Sequence, residues 1–295
     1  MPPPGFVSHA SFSSRNAHRR NARGCAFLFF LLKLQATFGA TNAPNSSSLV
    51  YLADLHLGEG CASSAKGYQP SDLNCYSVHN LKQTVERVNV LIAASAGGGS
   101  PIRLVVVGGD VTASAQRSEF VAAKAYLDEL TVPYVAMLGN HDVWSYDETV
   151  GDRTDQPMGD ELFASIFAPT FAALGRFRGF SYPNSTSGSA TARRRFQSWM
   201  LQLDSHDLGP SFDGLTLIAP DFNTRLKAPP PCPGHSPIGG CGVLGMASLN
   251  NESGGAWPWF EHQLDVLAAS RTARVNRSIL LLTHQPFRCR LPIPE

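Results

Sequence analysis

The stretch Val132-Pro133-Tyr134-Val135-Ala136-Met137-Leu138-Gly139-Asn140-His141-Asp142 decides how this chain is read. An uncharged, largely apolar run stops at a glycine, and an amide, an imidazole and a carboxylate follow at once. Short unbroken runs of this kind read as strands buried on both faces. Packing alone gives no reason for Asn-His-Asp beyond the end of such a strand.

Three further runs share the pattern. Leu49-Val50-Tyr51-Leu52-Ala53 precedes Asp54-Leu55-His56, Arg103-Leu104-Val105-Val106-Val107 precedes Gly108-Gly109-Asp110, and Ser278-Ile279-Leu280-Leu281-Leu282 precedes Thr283-His284. Ligands of α/β sheets bind just outside the carboxyl ends of the strands. Four strands tipped in this way describe one assembled site.

Between the runs lie helical patterns. Leu81, Val85, Val88 and Ile92 share a face of a predicted helix over Val78–Ala94, and Phe120, Ala123, Leu127 and Leu130 do so over Glu119–Leu130. The resulting β-α-β-α-β order predicts parallel strands joined by crossover helices. Further along, Glu161–Leu174 and Trp257–Ala269 read as helices. Phe196–Asp204 and Gly214–Ala219 read as strands of a second sheet, for which the sequence admits antiparallel pairing. Ser185–Ala192 and residues 228–241, rich in small polar residues, Pro and Gly, read as loops. Trp257 and Trp259 read as core residues of their helix.

With 295 residues, 43% hydrophobic and 16% charged, the chain can bury one sizeable α/β core. Net charge is +1, but Arg15, Arg19, Arg20, Arg23 and Lys33 fall in the first 50 residues, which hold no Asp or Glu. Without those five the rest is mildly acidic, which argues against a nucleic-acid binder with a clustered basic face.

Residues 1–48 read as a targeting segment and 49–295 as one domain. A basic stretch leads into Cys25-Ala26-Phe27-Leu28-Phe29-Phe30-Leu31-Leu32, and small residues follow near Thr37, Gly39 and Ala40. That is the layout of a signal peptide, with a transit peptide or a signal anchor as alternatives. The apolar part is shorter than the roughly 20 residues of a membrane span, so no transmembrane segment is expected. Asn45, Asn184, Asn251 and Asn276 begin Asn-x-Ser/Thr sites, which matter on the lumenal side. Cys61 with Cys75 and Cys232 with Cys241 are expected to form local disulfides, leaving Cys289 without a partner. These features predict a secreted or lumenal glycoprotein.

The strand ends carry the chemistry. Asp54 and His56, two apart, are expected on one side of a strand about 7 Å apart, able to converge on one ion. Asp110 follows two glycines that let the backbone turn closely, and its two oxygens can bridge two ions. Asn140 offers a carbonyl oxygen and His284 a nitrogen. Mixed O and N donors suit two divalent or trivalent ions such as Zn, Mn or Fe rather than Ca. A two-metal site of about 3.5–4 Å activates water and stabilises the oxygens of a displaced phosphoryl group. His141 is positioned to protonate the leaving oxygen, and Asp142 to orient His141.

Asp54-x-His56, Gly109-Asp110, Gly139-Asn140-His141-Asp142 and His284 together resemble the calcineurin-like metallophosphoesterase family, in the family's order. The similarity spans roughly Leu49 to Phe287 and includes Thr112, Gln263 in the Trp257–Leu267 helix, and Thr283-His284-Gln285-Pro286. It implies an α-β-β-α sandwich of two mixed sheets and hydrolysis of a phosphomonoester or phosphodiester at a dinuclear centre. It implies further that Asp54 and His56 bind the first metal, Asp110 bridges, Asn140 and His284 bind the second, and His141 is catalytic. The purple acid branch, which has a Tyr ligand shortly after Gly-Asp, is disfavoured by Val111-Thr112-Ala113-Ser114-Ala115.

One family element is missing from this sequence. No Gly-His-x-His follows His284, and Gly234-His235-Ser236-Pro237 stands in the wrong place. The expectation is therefore a domain whose last strands are absent, each metal short of one histidine. A second reading follows: an interaction module that keeps the phosphoesterase fold with a degraded metal site. Substrate identity, ester preference and oligomeric state carry no sequence signal.

Overall fold

The computed structural model describes residues 28–33, 47–59, 75–97, 101–143, 159–177, 180–181, 185–187, 194–203, 215–223, 256–270 and 278–284. The expected glycosylation sites and every cysteine but Cys75 lie outside them. Cys75 is disulfide-bonded, to a partner that also lies outside.

The described residues form a mixed α/β structure with four helices and two four-stranded sheets. The first sheet holds β1 (Leu28–Lys33), β2 (Ser48–Ala53), β3 (Ile102–Val107) and β4 (Tyr134–Ala136), in that spatial order. β2, β3 and β4 are parallel, connected by α1 (Tyr76–Ser95) and α2 (Arg117–Leu127), as the apolar runs predict. Their residues are almost all buried, in one core cluster with side chains of α1, α2, the helix over Gly159–Leu174 and the strands over Trp199–Leu203 and Leu215–Ala219. β1, within the run read as the apolar part of a leader, pairs antiparallel with β2, Leu28 opposite Ala53 and Lys33 opposite Ser48.

The second sheet contains β5 (Phe180–Ser181), β8 (Trp199–Leu203), β9 (Leu215–Ala219) and β10 (Ser278–Leu281), in the order β10-β9-β8-β5. β8 and β9 are antiparallel, while β10 joins β9 in parallel. A separate hairpin of β6 (Ser185–Ser187) and β7 (Arg194–Phe196) occupies part of the stretch read as a loop. Ser-Thr-Ser carries no apolar alternation, so sequence had nothing to announce it. Helix α3 (Gly159–Leu174) packs against the first sheet, and α4 (Ala256–Ser270) precedes β10.

Alternation along β8 and β9 sorts two cores. Trp199, Leu201, Leu203, Leu215, Leu217 and Ala219 face the main core shared with the first sheet. Met200 and Ile218 point the opposite way, onto Phe260 and Leu267 of α4, with Trp257 and Trp259 packed alongside. Those two tryptophans are half-buried and pack against this second core, the packing role read from the sequence. The Trp199 indole is fully buried and donates to the Ala136 carbonyl of β4 (2.9 Å), fastening one sheet to the other.

Several boundaries differ from the sequence reading: the strand read over Phe196–Asp204 is divided, Phe196 ending β7 and β8 spanning only Trp199–Leu203, and the ends of α2 and β4 also shift. α2 stops at Leu127 rather than Leu130, because the residue before Pro133 is pushed out of helical geometry and Thr131 and Val132 already favour extended chain. β4 stops at Ala136, since Leu138 O accepts from Asn223 Nδ2 (3.0 Å) instead of from a strand neighbour.

Candidate metal centre

The parallel strands of the first sheet all end at the same edge, and the chain is bent sharply there. Asp54, His56 and Asp110 adopt left-handed φ of 57°, 43° and 50°, a conformation that costs a non-glycine residue on the order of 1 kcal/mol or more. A ladder between the two loops holds it: Asp54 N donates to Gly109 O (3.1 Å), His56 N to Asp110 O (2.8 Å) and Leu57 N to Val111 O (3.0 Å). Asp54 and His56 do converge, with His56 Nε2 3.9 Å from Asp54 Oδ1, but not through the period-two strand geometry expected. β2 has ended by then, and the left-handed turns aim both side chains while Leu55 between them is buried.

Two glycines make room for this. Gly109 has φ 95°, and a Cβ there would lie 2.7 Å from His284 Nδ1 and 2.8 Å from Gly139 N. A Cβ on Gly139 would meet Asp110 Oδ1 at 2.1 Å. Any side chain at either position would push the ligand loops apart.

Asp110 is buried at the centre. Its Oδ2 lies 3.4 Å from His56 Nε2 and 3.2 Å from His284 Nε2, and its Oδ1 accepts from His141 N (2.9 Å). Two groups have the composition and spacing to hold a metal ion: His56, Asp110 and His141, and Asp54, Asp110 and His284. In each, the ligand atoms lie within 4.8 Å of one another, and Asp110 is common to both. Asn140 Oδ1 stands 3.1 Å from His284 Nε2, beside the second group. All seven residues singled out in the sequence are therefore described here, and six of them meet at this edge. The grouping differs from the expected one, for Asp54 stands with His284 as well as beside His56, and His141 stands with His56.

The donor set asks for a cation. His284 Nδ1 lies 3.0 Å from Gly108 O, an acceptor, so Nδ1 carries the proton and donates. Its Nε2 then faces two further acceptors, Asp110 Oδ2 and Asn140 Oδ1. Either a second proton or a metal ion must sit between them. Burial works against a charged imidazole, yet the Asp110 hydrogen bond and charge prevail and raise His284 to about 9. Burial likewise resists ionisation of Asp110, but the His284 hydrogen bond and the neighbouring histidines hold it below the usual carboxylate range. His56 is lowered, mainly by burial, with Asp110 opposing. Without metal, the centre behaves as a proton held among acceptors.

Comparison with models of protein families and with curated proteins finds no match to this chain. The geometry therefore stands on its own residues.

His141 sits at the edge of the cluster, its ring edge-to-face with His56 at 4.5 Å. Its Nδ1 lies 2.8 Å from Ala113 O, an acceptor, so Nδ1 carries a proton and donates there. The sequence reading gives that orienting task to Asp142, and the structure gives Asp142 another. The turn over His141–Val143 tucks the Asp142 carboxylate underneath, fully buried. There it accepts from Gly139 N (2.9 Å), Val111 N (3.0 Å), Thr112 N (2.8 Å) and Thr112 Oγ1 (2.8 Å). Burial and the Asp110 charge raise it to about 6 against those hydrogen bonds. Through these bonds Asp142 ties two of the loops together.

Sequence reasoning missed the groups that aim the ligands. Gly108 O and Ala113 O are main-chain atoms, invisible to a motif. Glu119 is a buried carboxylate raised to about 7 by burial, against its hydrogen bonds from Ser114 and Gln116. Its signal was present: Gln116-x-x-Glu119 has the spacing of a helix capping box. His79 and His262 are exposed on α1 and α4, as expected of histidines outside the site.

Proposed function

We propose that this chain is a metal-dependent phosphoesterase of the calcineurin-like type, built as an α-β-β-α sandwich, acting on a phosphomonoester or phosphodiester. One observation carries the reading: a single buried carboxylate, Asp110, lies between His56 Nε2 and His284 Nε2 at 3.4 and 3.2 Å and belongs to both ligand groups. A carboxylate shared in this way suits two ions side by side. Asp54, His56 and Asp110 would hold one ion, and Asp110, Asn140 and His284 the other, with Asp54 in reach of both. Bound there, a pair of divalent or trivalent cations such as Zn, Mn or Fe supplies Lewis acidity and charge neutralisation for phosphoryl transfer to water.

The chain's own residues do the rest. Asp110 holds the two halves in fixed relation, and its negative charge is retained by the surrounding imidazoles. Gly108 O and Ala113 O fix the tautomers of His284 and His141, and His284 Nε2 faces the centre. His141, with Nδ1 anchored, gives a proton from Nε2 to the leaving oxygen as the ester bond breaks. Retention of a histidine aimed in this way favours an enzyme over a binding module, which has no use for it.

Among the described residues no helix is long and apolar enough to cross a membrane. The basic and apolar stretch before β2 and the disulfide at Cys75 support a secreted or lumenal enzyme. The test is turnover of chromogenic phosphate mono- and diesters by the full chain, with added Zn, Mn or Fe and with chelator. Metal-dependent turnover of either class is expected. A folded chain that hydrolyses neither with any of the three ions would overturn the reading.

A further inference from the structure

The loop between β3 and α2 shows where the aim of His141 is set. From Val111 to Gln116 every backbone N–H is occupied. Val111 and Thr112 donate to Asp142, Ala113 to Leu57 O (2.9 Å), and Ser114 to Glu119 Oε2 (3.0 Å). Ala115 donates to Thr112 Oγ1 (3.1 Å) and Gln116 to Glu119 Oε2 (3.1 Å). Glu119 Oε1 also accepts the Ser114 hydroxyl (2.7 Å). Two buried carboxylates thus grip the loop from either side of Ala113, whose carbonyl is the atom that holds His141 Nδ1. The grip is tight enough to keep Ala115 at a left-handed φ of 54° without a glycine.

We propose that Glu119 is a positioning residue for His141: by clamping Ser114 and Gln116 it fixes Ala113 O, and so the tautomer and direction of the imidazole. A helix cap alone needs only the Gln116 N–H. The two bonds to Ser114 lie outside the helix and adjoin Ala113 directly, which is where capping and positioning part company. Asp142 anchors the opposite flank, but it also binds Gly139 N in the ligand loop, so its removal would disturb the metal residues themselves. Glu119 is the cleaner handle.

The proposal rests on the phosphoesterase reading for its kinetic arm only. Three variants of the full chain test it. Glu119→Leu removes all three bonds, and Glu119→Asp keeps the charge but stops one methylene short. Glu119→Gln can still accept both backbone N–H groups while its amide donates to Ser114 Oγ. The first readout is the nitrogen chemical shifts of the His141 ring in metal-free protein, which report how much of the neutral ring carries its proton on Nδ1. The second is kcat and KM on a chromogenic phosphate ester.

We expect the Nδ1-protonated fraction to fall in the Leu and Asp variants and to return in the Gln variant. The kcat should fall about 10- to 100-fold with little change in KM, and recover in the Gln variant. If Glu119→Leu does not fold, Glu119→Asp carries both readouts. A folded Leu or Asp variant that melts earlier yet keeps the wild-type tautomer ratio and kcat would show a helix cap only and overturn the proposal. Absence of turnover in the wild type defeats the phosphoesterase reading alone, since the ring shifts then decide the role of Glu119.

Discussion

The first sheet delivers Asp54, His56, Asp110, Asn140 and His141 from the ends of three adjacent parallel strands, whereas the second delivers His284 alone, just beyond β10. The two contributions are secured differently. On the first-sheet side, loop-to-loop backbone bonds and the carboxylates of Asp142 and Glu119 account for one main-chain donor after another. β10 has β9 as its neighbour, and Ile279 and Leu281 stay exposed. His284 is aimed by Gly108 O, an atom of the opposite sheet. One half of the centre is therefore prebuilt, and the other is completed only when the sheets are docked.

That contrast can be broken most severely at the shared residue. Asp110→Asn removes the shared carboxylate from both groups at once, and turnover should fall about 10³-fold or more, the equivalent of several kcal/mol of lost transition-state stabilisation. Steady-state kinetics of the folded variant checks this.

Next in size is His141→Ala, which should lower kcat by about 10²- to 10⁴-fold. Metal content separates its two possible duties. An acid leaves the content at the wild-type level, while a ligand in the group with His56 and Asp110 takes ions with it. We expect the content to be retained, measured by plasma emission on dialysed protein.

His284→Ala sharpens the contrast, because it should empty the second-sheet half and spare the first. In the metal-free protein it also has a pH signature. Folding raises the His284 pKa from 6.5 to about 9, so its contribution is complete below pH 6.5 and is lost as pH rises through 9. The amount is on the order of 3 kcal/mol. Wild-type Tm in chelator should therefore fall between pH 6.5 and 9 more steeply than that of the variant. Metal uptake should strengthen over the same range, since the ion displaces that proton.

The smallest effect is expected at the seam between the sheets. Asn223 donates to Leu138 O and to Asp221 Oδ1 (each 3.0 Å), and Asn223→Ala leaves the Leu138 carbonyl buried without that donor. A loss of about 1–3 kcal/mol in urea unfolding is expected, with weaker binding of the ion beside His284.

How much of this could be read beforehand follows the same division. Apolar runs ending in Asp, His or Asn announced β2, β3, β4 and β10 and the candidate ligands, and β2 to β4 are buried as such runs predict, whereas β10 leaves Ile279 and Leu281 exposed and is not buried on both faces. The antiparallel pairing of β8 and β9 agrees with the option the sequence admitted, although alternation reveals faces and not neighbours. The hairpin Ser185–Ser187 with Arg194–Phe196 was not legible, since its residues lack any apolar period. In the site, side chains could be named but not their aim. Asp142 follows His141 in sequence, yet a single turn carries it beneath the loop, and the orienting atom is a carbonyl 28 residues away in the chain. Main-chain carbonyls carry no residue signature, and left-handed Asp54, His56 and Asp110 defeat any argument from strand periodicity.

The most direct test of the central claim is the number of ions bound by the full-length, folded chain after loading with Zn, Mn or Fe and dialysis. Two ions per chain in the wild type, falling below one in Asp110→Asn, is the result this account predicts. A folded wild type that retains none of the three ions, or binds as many after Asp110→Asn as before, would contradict it.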